Sequence, residues 1–467
     1  MGISSQFHKP QIIPIMAKKT IMTLSRRKFI GASAVSAFTL TYLPSHVFGA
    51  NERLRIAGVG VGGKGSSDID HAGQFGDVVA LCDADSRHLD AKATKFNAAK
   101  KFSDFRQMFE QMGKGIDAVT ISTPDHTHAP AAMMAMKLGM HVYCQKPLTH
   151  SVYEARLLRD TARKFKVCTQ MGNQGTAENG LREAVEVIRS GAIGPVREVH
   201  VWTNRPVWPQ SPGIVARPTE TPAVPEFVNW DAFIGPAPER PYHPAYHPFK
   251  WRGWWDFGTG ALGDMACHTT NMAFMALKLG HPDSIQAVSG EINRETFPAW
   301  ATITYQFPAR GELPPVKLVW YEGKTPDGKK NLPPADLLHG EIPPGSGSLL
   351  VGDKGILYSP NDYGAAYKLL PKEKFEGYVK PEPTLARNGK GDSGQKEEWI
   401  KAIKENKPSI AFSNFDYAAM FTETILLGNV AMRVGKKINW DGPNLKVTNA
   451  PEAAQYIKRP YRKGWEI

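Results

Sequence analysis

The sequence predicts an α/β protein. An N-terminal doubly wound parallel sheet is expected, followed by a C-terminal α+β domain with an open, mostly antiparallel sheet. Three observations carry this. A glycine-rich turn, Gly60-Val61-Gly62-Gly63-Lys64-Gly65, sits between an apolar strand and a helix start. Apolar runs then alternate with helical stretches to about residue 170, as in parallel βαβ units. Beyond that point several apolar runs are separated by turn residues, as in antiparallel sheets. The 467 residues leave room for two or three domains. The expected division is a leader at 1–50, a parallel-sheet domain at 51–170 and an α+β domain at 171–467.

The leader comes first. Ser25-Arg26-Arg27-Lys28-Phe29-Ile30 matches the twin-arginine export signal. An apolar stretch at 31–43 follows, then small residues at Gly49 and Ala50. It is too short for a stable membrane anchor and ends like a cleavage site. Met16 or Met22 are alternative starts. The expected location is periplasmic, reached through the twin-arginine machinery. That route carries folded chains, which accommodates free cysteines in an exported protein. Cys82, Cys144, Cys168 and Cys267 fall in no metal-type spacing and read as small buried residues.

Formal charge is +12, but six basic residues and no acid lie in the first fifty positions. Elsewhere the one dense basic cluster is Lys458-Arg459 with Arg462-Lys463, which reads as a solvated tail. Nucleic-acid binding is not expected.

The run 54–59 reads as the first strand, feeding the glycine turn. In a G-x-G-x-x-G, Gly60 allows the tight turn and Gly62 lets the backbone approach a pyrophosphate. Gly65 lets helix and strand pack closely, and Gly63 lies within the same loop. The helix N-terminus offers free N–H groups to phosphates. A frame beginning at Gly58 also fits, but puts a glycine inside the strand. The second strand, 77–82, ends at Asp83. A carboxylate there accepts from an adenosine ribose 2′-hydroxyl and repels a 2′-phosphate, which favours NAD over NADP. The competing reading is a cap for the next helix.

A third strand at 117–122 leads to Thr123-Pro124-Asp125-His126-Thr127-His128, then a helix at 129–138. His126 and His128 are read as loop histidines near the cofactor, since a metal pair lacks further ligands nearby. The next strand, 142–144, ends in Gln145-Lys146-Pro147. Proline cannot continue the ladder and restricts the residue before it. Lys146 therefore stands where a strand stops, at the mouth of the sheet. A helix at 152–165 and a strand at 167–170 follow. Met171-Gly172-Asn173-Gln174-Gly175 marks the crossing into the second domain.

These pieces resemble the Gfo/Idh/MocA family of sugar and cyclitol dehydrogenases. The matching residues are the Gly60–Gly65 fingerprint, the Thr123-Pro124…His128 loop and Gln145-Lys146-Pro147. The resemblance implies cofactor contacts from Thr123, Pro124 and His128. It implies that Lys146 reaches both the nicotinamide ribose and a substrate hydroxyl. One departure stands out: Gln145 occupies the place of a family glutamate, removing a carboxylate that would favour a charged lysine.

In the second domain a helix at 181–190 precedes a strand at 196–202. The Pro-rich stretch 205–249 reads as a functional insertion. Strands are expected at 285–288, 299–307 and 316–320, a strand–turn–strand at 346–355 and a long apolar helix at 415–434.

The second constellation begins at Trp251-Arg252-Gly253-Trp254-Trp255. These aromatics suit a sugar's apolar face or core packing. Trp251, Arg252, Trp254 and Asn173 are candidate substrate contacts. Gly263-Asp264-Met265-Ala266-Cys267-His268 opens a helix expected to run to residue 279. Asp264 and His268 share a helix face four residues apart. The bland reading is a helix-start aspartate and a satisfied core histidine. The family resemblance implies that His268 takes the proton from a substrate alcohol, and that Asp264 binds sugar or orients the imidazole. Imidazole chemistry suits that task, and Lys146 would stabilise a developing alkoxide.

The expected function is a periplasmic oxidoreductase acting on a secondary ring hydroxyl, C3 foremost, of a sugar or glycoside. NAD would be tightly bound, because the periplasm has no free pool. A homodimer or homotetramer through the second sheet is implied by the resemblance. Alternatives are a glycoside hydrolase working by transient C3 oxidation and a non-catalytic sugar-binding protein.

Overall fold

A computed structural model of the chain describes Met1 and residues 53–467. The expected twin-arginine leader lies outside the described residues, Met1 apart.

The strand β1 (Leu54–Val59) is buried at five of its six positions, as a central parallel strand should be. It passes through the glycine turn into α1 (Gly63–Ala72). Gly60 has φ +76°, and a Cβ there would meet Ser122 O at 2.6 Å. A Cβ on Gly65 would lie 1.9 Å from Gly60 O, so helix and strand touch at backbone level. There follow β2 (Gly76–Cys82), α2 (Ser86–Ala93), β3 (Lys100–Phe102), α3 (Phe105–Met112), β4 (Ala118–Ile121), α4 (Asp125–Lys137), β5 (His141–Cys144), α5 (Val152–Phe165) and β6 (Thr169–Met171). The six strands form a parallel sheet of order β3-β2-β1-β4-β5-β6. Strand order reverses between β1 and β4, where such sheets open a crevice for ligands.

The helix α4 starts four residues earlier than expected, so His126 and His128 are helical rather than in a loop. Periodicity could not place this start, because α4 is buried on nearly every side. Pro130 lies inside it and lacks the N–H that would serve His126 O. Arg459 donates to that oxygen instead, at 2.6 Å. In the C-terminal basic cluster, read from sequence as a solvated tail, the two arginines are tied to the fold while Lys458 and Lys463 stay exposed. Arg459 also pairs with buried Glu154 at 2.9 Å, and Arg462 with Asp231 at 2.6 Å.

The second part contains α6 (Asn179–Arg189), β7 (Val196–Thr203), α7 (Trp230–Ile234), α8 (Gly260–Thr269) and α9 (Asn271–Ala276). The expected single helix to 279 is thus two. Thr269 Oγ1 donates to Met265 O at 3.1 Å, a back-bond that bends helices. Next come β8 (Ser284–Ser289), β9 (Trp300–Phe307), β10 (Val316–Gly323), β11 (Gly347–Gly352), β12 (Gly355–Ser359) and β13 (Lys368–Leu370). The chain ends with α10 (Gly391–Lys404), α11 (Phe415–Val434), β14 (Ile438–Asp441), β15 (Lys446–Val447) and α12 (Ala454–Ile457). Nine strands order as β13-β12-β11-β7-β10-β9-β8-β14-β15. The β7–β10 pair is parallel and the other pairs are antiparallel.

The helix α11 begins where Asn414 accepts from Asp416 N at 3.0 Å, a cap worth about 1 kcal/mol. It stops at Gly435, φ +72°. A boundary at 170 assigns α10 to the second domain by sequence. In space it covers the first sheet: Trp399, Ile400 and Ile403 share a core with Leu54, Ile56 and Tyr143. Each such side chain contributes about 1.5–3 kcal/mol by burial. The four cysteines are buried and free.

Gly65→Ala should lower unfolding stability by about 2–3 kcal/mol through overpacking. Gly115→Ala, where a Cβ meets nothing within 4 Å, should stay within about 0.5 kcal/mol. Urea unfolding of both variants checks the contrast.

Candidate active site

At the carboxyl end of the parallel sheet lies a cleft of about 650 Å³, within the usual range for small-molecule sites. Gly60, Gly62 and Gly63 line it, as do Thr123 and Pro124. Gly65 stands behind, packed on Gly60. Asp83 lies in the cleft with its carboxylate turned to the glycine turn. Its Oδ2 accepts from Val61 N at 2.8 Å and Gly62 N at 3.1 Å. It does not cap the next helix; Asp85 does, accepting from Arg87 N at 3.0 Å.

His128 is not a cleft residue. Its Nδ1 faces Pro147 O at 2.8 Å and its Nε2 faces Thr123 O at 2.9 Å. Burial pushes its pKa down. It ties the two loops that carry Thr123 and Lys146. His126 is engaged in the same way, with Phe257 O at 3.1 Å and Phe233 O at 2.8 Å.

Lys146 and Asp264 meet across the cleft. The Lys146 Nζ donates to Asp264 Oδ1 and to Asp264 O, both at 2.8 Å. Arg252 Nε lies 3.4 Å from the same carboxylate, and so does Arg205 Nε. Burial opposes ionisation of Asp264, but Lys146 and Arg252 outweigh it and hold the carboxyl well below its ordinary value. Arg252 is itself held by Asp125, both of whose oxygens lie 3.0 Å from Nη1. His268, one turn beyond Asp264, also lines the cleft. Burial first, then the Lys146 charge, hold its pKa well below 6.5, so its ring is neutral. Its Nδ1 is buried without a partner among the described residues. Asp264 does not orient this ring by a hydrogen bond; the Tyr363 ring meets it edge-on at 4.9 Å.

Of the other sequence candidates, Trp251 lines the cleft beneath the Arg252 guanidinium, 4.3 Å from its ring centre. Trp254 does not: it is fully buried, and its Nε1 donates to Ala245 O at 3.0 Å. An indole with a backbone acceptor inside an aromatic core is satisfied there. Asn173 is also buried behind the wall, donating to Cys267 O at 3.4 Å. Its neighbour Gln174 lines the cleft instead.

Sequence reasoning missed Arg205, Tyr363 and the carboxylate beneath Gln145. Arg205-Pro206 just past β7 repeats the Lys146-Pro147 pattern, a signal that was there to read. Tyr363 carries none. The carboxylate is Asp68. It is fully buried and accepts from Gln145 Nε2 at 2.8 Å, Ser122 Oγ at 2.8 Å, Lys64 Nζ at 2.7 Å and Lys396 Nζ. Asp392 shares both lysines. Two ammonium groups thus face two carboxylates. The negative charge absent at 145 is present one layer down, and a glutamate at 145 would face Asp68.

A sequence profile described as "Oxidoreductase family, NAD-binding Rossmann fold" matches residues 54–173. A second, "Oxidoreductase family, C-terminal alpha/beta domain", matches 201–313. The chain belongs to the Gfo/Idh/MocA oxidoreductase family. It is 28% identical over 157 residues to the D-glucoside 3-dehydrogenase of Escherichia coli, covering 32% of this chain and 43% of that protein. It is 29% identical over 154 residues to a glycosyl hydrolase family 109 protein of Shewanella pealeana, covering 31% and 33%. These matches span less than half of the relatives' lengths. Among solved structures, the WlbA dehydrogenase of Bordetella pertussis, in complex with NADH and UDP-GlcNAcA, has a TM-score of 0.58. At 16% identity, it covers 83% of this chain and 99% of that one. The aldose-aldose oxidoreductase of Caulobacter crescentus has a TM-score of 0.54 at 16% identity, covering 83% and 100%. These likenesses are of fold.

Within the four-charge cluster Asp68 and Lys396 are fully buried, while Lys64 and Asp392 reach solvent. Lys396→Met leaves Asp68 short of a partner and should cost about 3–5 kcal/mol in urea unfolding at neutral pH. Asp68 titrates below its ordinary 3.8, and Asp392 is lowered to about 2 because the lysine charges outweigh burial. Their contribution is full above 3.8 and is lost as pH falls through their folded values. The acid limb of the stability curve should therefore flatten in the variant.

Proposed function

We propose that this protein is an NAD-dependent dehydrogenase of a sugar or glycoside. The reaction proposed is oxidation of a secondary ring hydroxyl, with C3 the favoured position. The observation that carries the reading is the meeting of Lys146, Asp264 and His268 in the cleft that the glycine turn lines. The residues fit a nicotinamide dinucleotide. Gly63 lines the cleft, and a Cβ there would meet nothing within 4 Å, so the turn is open where a pyrophosphate approaches, and the α1 N-terminus adjoins it. The Asp83 carboxylate supports NAD over NADP. When bound, the nicotinamide supplies the hydride acceptor.

The chain's own residues supply the rest. His268, neutral and buried, takes the alcohol proton. Lys146 polarises the oxygen and favours its alkoxide. Asp264, kept ionised by its three cations, accepts from neighbouring hydroxyls and holds Lys146 in place. Trp251 covers an apolar sugar face. The position at C3 is supported by the similarity to D-glucoside 3-dehydrogenase. Periplasmic residence through the Arg26-Arg27 signal belongs to the same reading, and with it a tightly held cofactor. So does a homodimer or homotetramer built on the second sheet.

A second reading, glycoside hydrolysis by transient C3 oxidation, elimination, water addition and reduction, is favoured by the family 109 similarity. It needs no external electron acceptor. Incubation with a nitrophenyl glycoside separates the two. Stoichiometric 3-keto product identifies the dehydrogenase, and free sugar with nitrophenol the hydrolase.

Two outcomes are expected. His268→Asn should lower kcat/KM by about 10²–10⁴-fold, the usual worth of a general base. The parent's acid limb should lie below pH 6.5, because a lowered pKa keeps His268 neutral to lower pH, and it should vanish in the variant. Heat-denatured protein, purified without added nucleotide, should release nicotinamide nucleotide to the supernatant. A clean supernatant would count against tight binding.

A further inference from the structure

The insertion 205–249 does not hang free. At 227–229 it is knitted to the loop after β2 as a short antiparallel bridge, Asp85 to Val228. Ser86 N donates to Phe227 O at 2.8 Å, and Asn229 N donates to Ala84 O at 2.7 Å. The Arg87 guanidinium lies 3.7 Å over the Phe227 ring. Asn229 Nδ2 donates to Ser103 Oγ at 3.1 Å, beyond the end of β3. The insertion has its own core, in which Phe233, Ile234 and Tyr246 pack with Trp254 and Phe257 and Ala84 rests against them. That core holds the returning limb at the same end of the cleft. His247 Nε2 lies 3.5 Å from buried Asp85 Oδ2, and His247, Pro248 and Phe249 all line the cleft.

In a sheet of this order the ends of β2 and β3 receive the adenosine half of a dinucleotide. The segment is therefore anchored where adenosine would lie. Phe249 is the anomaly. It lines the cleft yet is 63 % exposed, a large ring in no core cluster at the mouth of a site. An aromatic face left open beside a nucleotide site is a platform for a base.

We propose that 205–249 is a strap that completes the adenosine end of the cofactor cleft, with Phe249 as the ring on which adenine stacks and the 227–229 bridge as its anchor. This rests on the reading of the cleft as a nicotinamide dinucleotide site. The strap belongs by sequence to the second domain and binds the first. It ties the two together over the cofactor and slows its release.

The test uses the full chain loaded with NAD, following exchange of bound NAD against labelled NAD. Phe249→Ala removes an exposed ring and should release NAD about tenfold faster, the size of one lost base-stacking contact. Phe227→Ala touches no cleft wall and weakens only the anchor, and it should also speed release. Affinity for nicotinamide mononucleotide, which lacks adenosine, should be unchanged in both. Release at the parent's rate in both variants overturns the strap, as does a parallel loss of mononucleotide affinity. A parent that neither carries nor binds NAD overturns the reading of the cleft itself, a separate result from unchanged variants.

Discussion

The ion pair between Lys146 and Asp264 sets the geometry of everything around it. Lys146 is the last residue before a proline at the end of β5, on the first sheet. Asp264 is on α8, a helix buried at every position in the second domain. A buried carboxylate on such a helix is costly unless paired, and removal of one partner costs several kcal/mol. Three cations converge on Asp264, so ionisation is secured with charge to spare. In the proposed dehydrogenase the pair would set where a substrate oxygen sits, because Asp264 holds Nζ and a helical turn places His268 next to it. The division of labour follows from electrostatics. One carboxyl is driven to stay charged, and one imidazole is driven to stay neutral, within four residues of the same helix.

The Asp68 cluster does the same work one layer below. Its four donors come from α1, the end of β4, the end of β5 and α10. The glycine turn, the Thr123 loop and Lys146 are thus referred to a single carboxylate. This explains Gln145. An amide can donate to Asp68 with Nε2 while its Oε1 accepts from Lys146 N at 3.2 Å. A carboxylate at 145 could only accept, and would face another acceptor. The departure from the family's usual residue is a local charge balance, matched by Lys396 from a helix more than two hundred residues away.

Much of the fold was legible because its signals are local. Apolar strands, the glycine spacing, the lysine before proline and the 20-residue apolar helix at 415–434 need no knowledge of the partner. The parallel sheet followed from alternation alone. What was not legible depends on distant partners. His128 reads as a cofactor ligand until Thr123 O and Pro147 O are seen on its two nitrogens. Trp254 reads as a sugar platform until Ala245 O takes its N–H. The helix α10 looks like part of the second domain because nothing in its own residues says which sheet Trp399 will cover. Tyr363 sits in a loop with no motif, and its role comes from standing against His268.

The ties across the cleft bear on how the protein handles its cofactor. Lys146 reaches Asp264 at one place and Asp125 reaches Arg252 at another, each joining the first sheet's loops to the second domain. At the far end the 227–229 bridge joins them again through backbone hydrogen bonds. Pairs of domains that open in each cycle hinge on few contacts. A cleft tied at both ends resists such opening, because independent ties must break together. An enzyme that exchanges its dinucleotide at every turnover is poorly served by that arrangement. One that keeps the dinucleotide and exchanges only sugars is well served, since sugars need the substrate end alone. A cofactor held in this way would also suit oxidation followed by re-reduction on the spot, so the proposed dehydrogenase and hydrolase readings are served by one architecture and differ in what happens to the ketone.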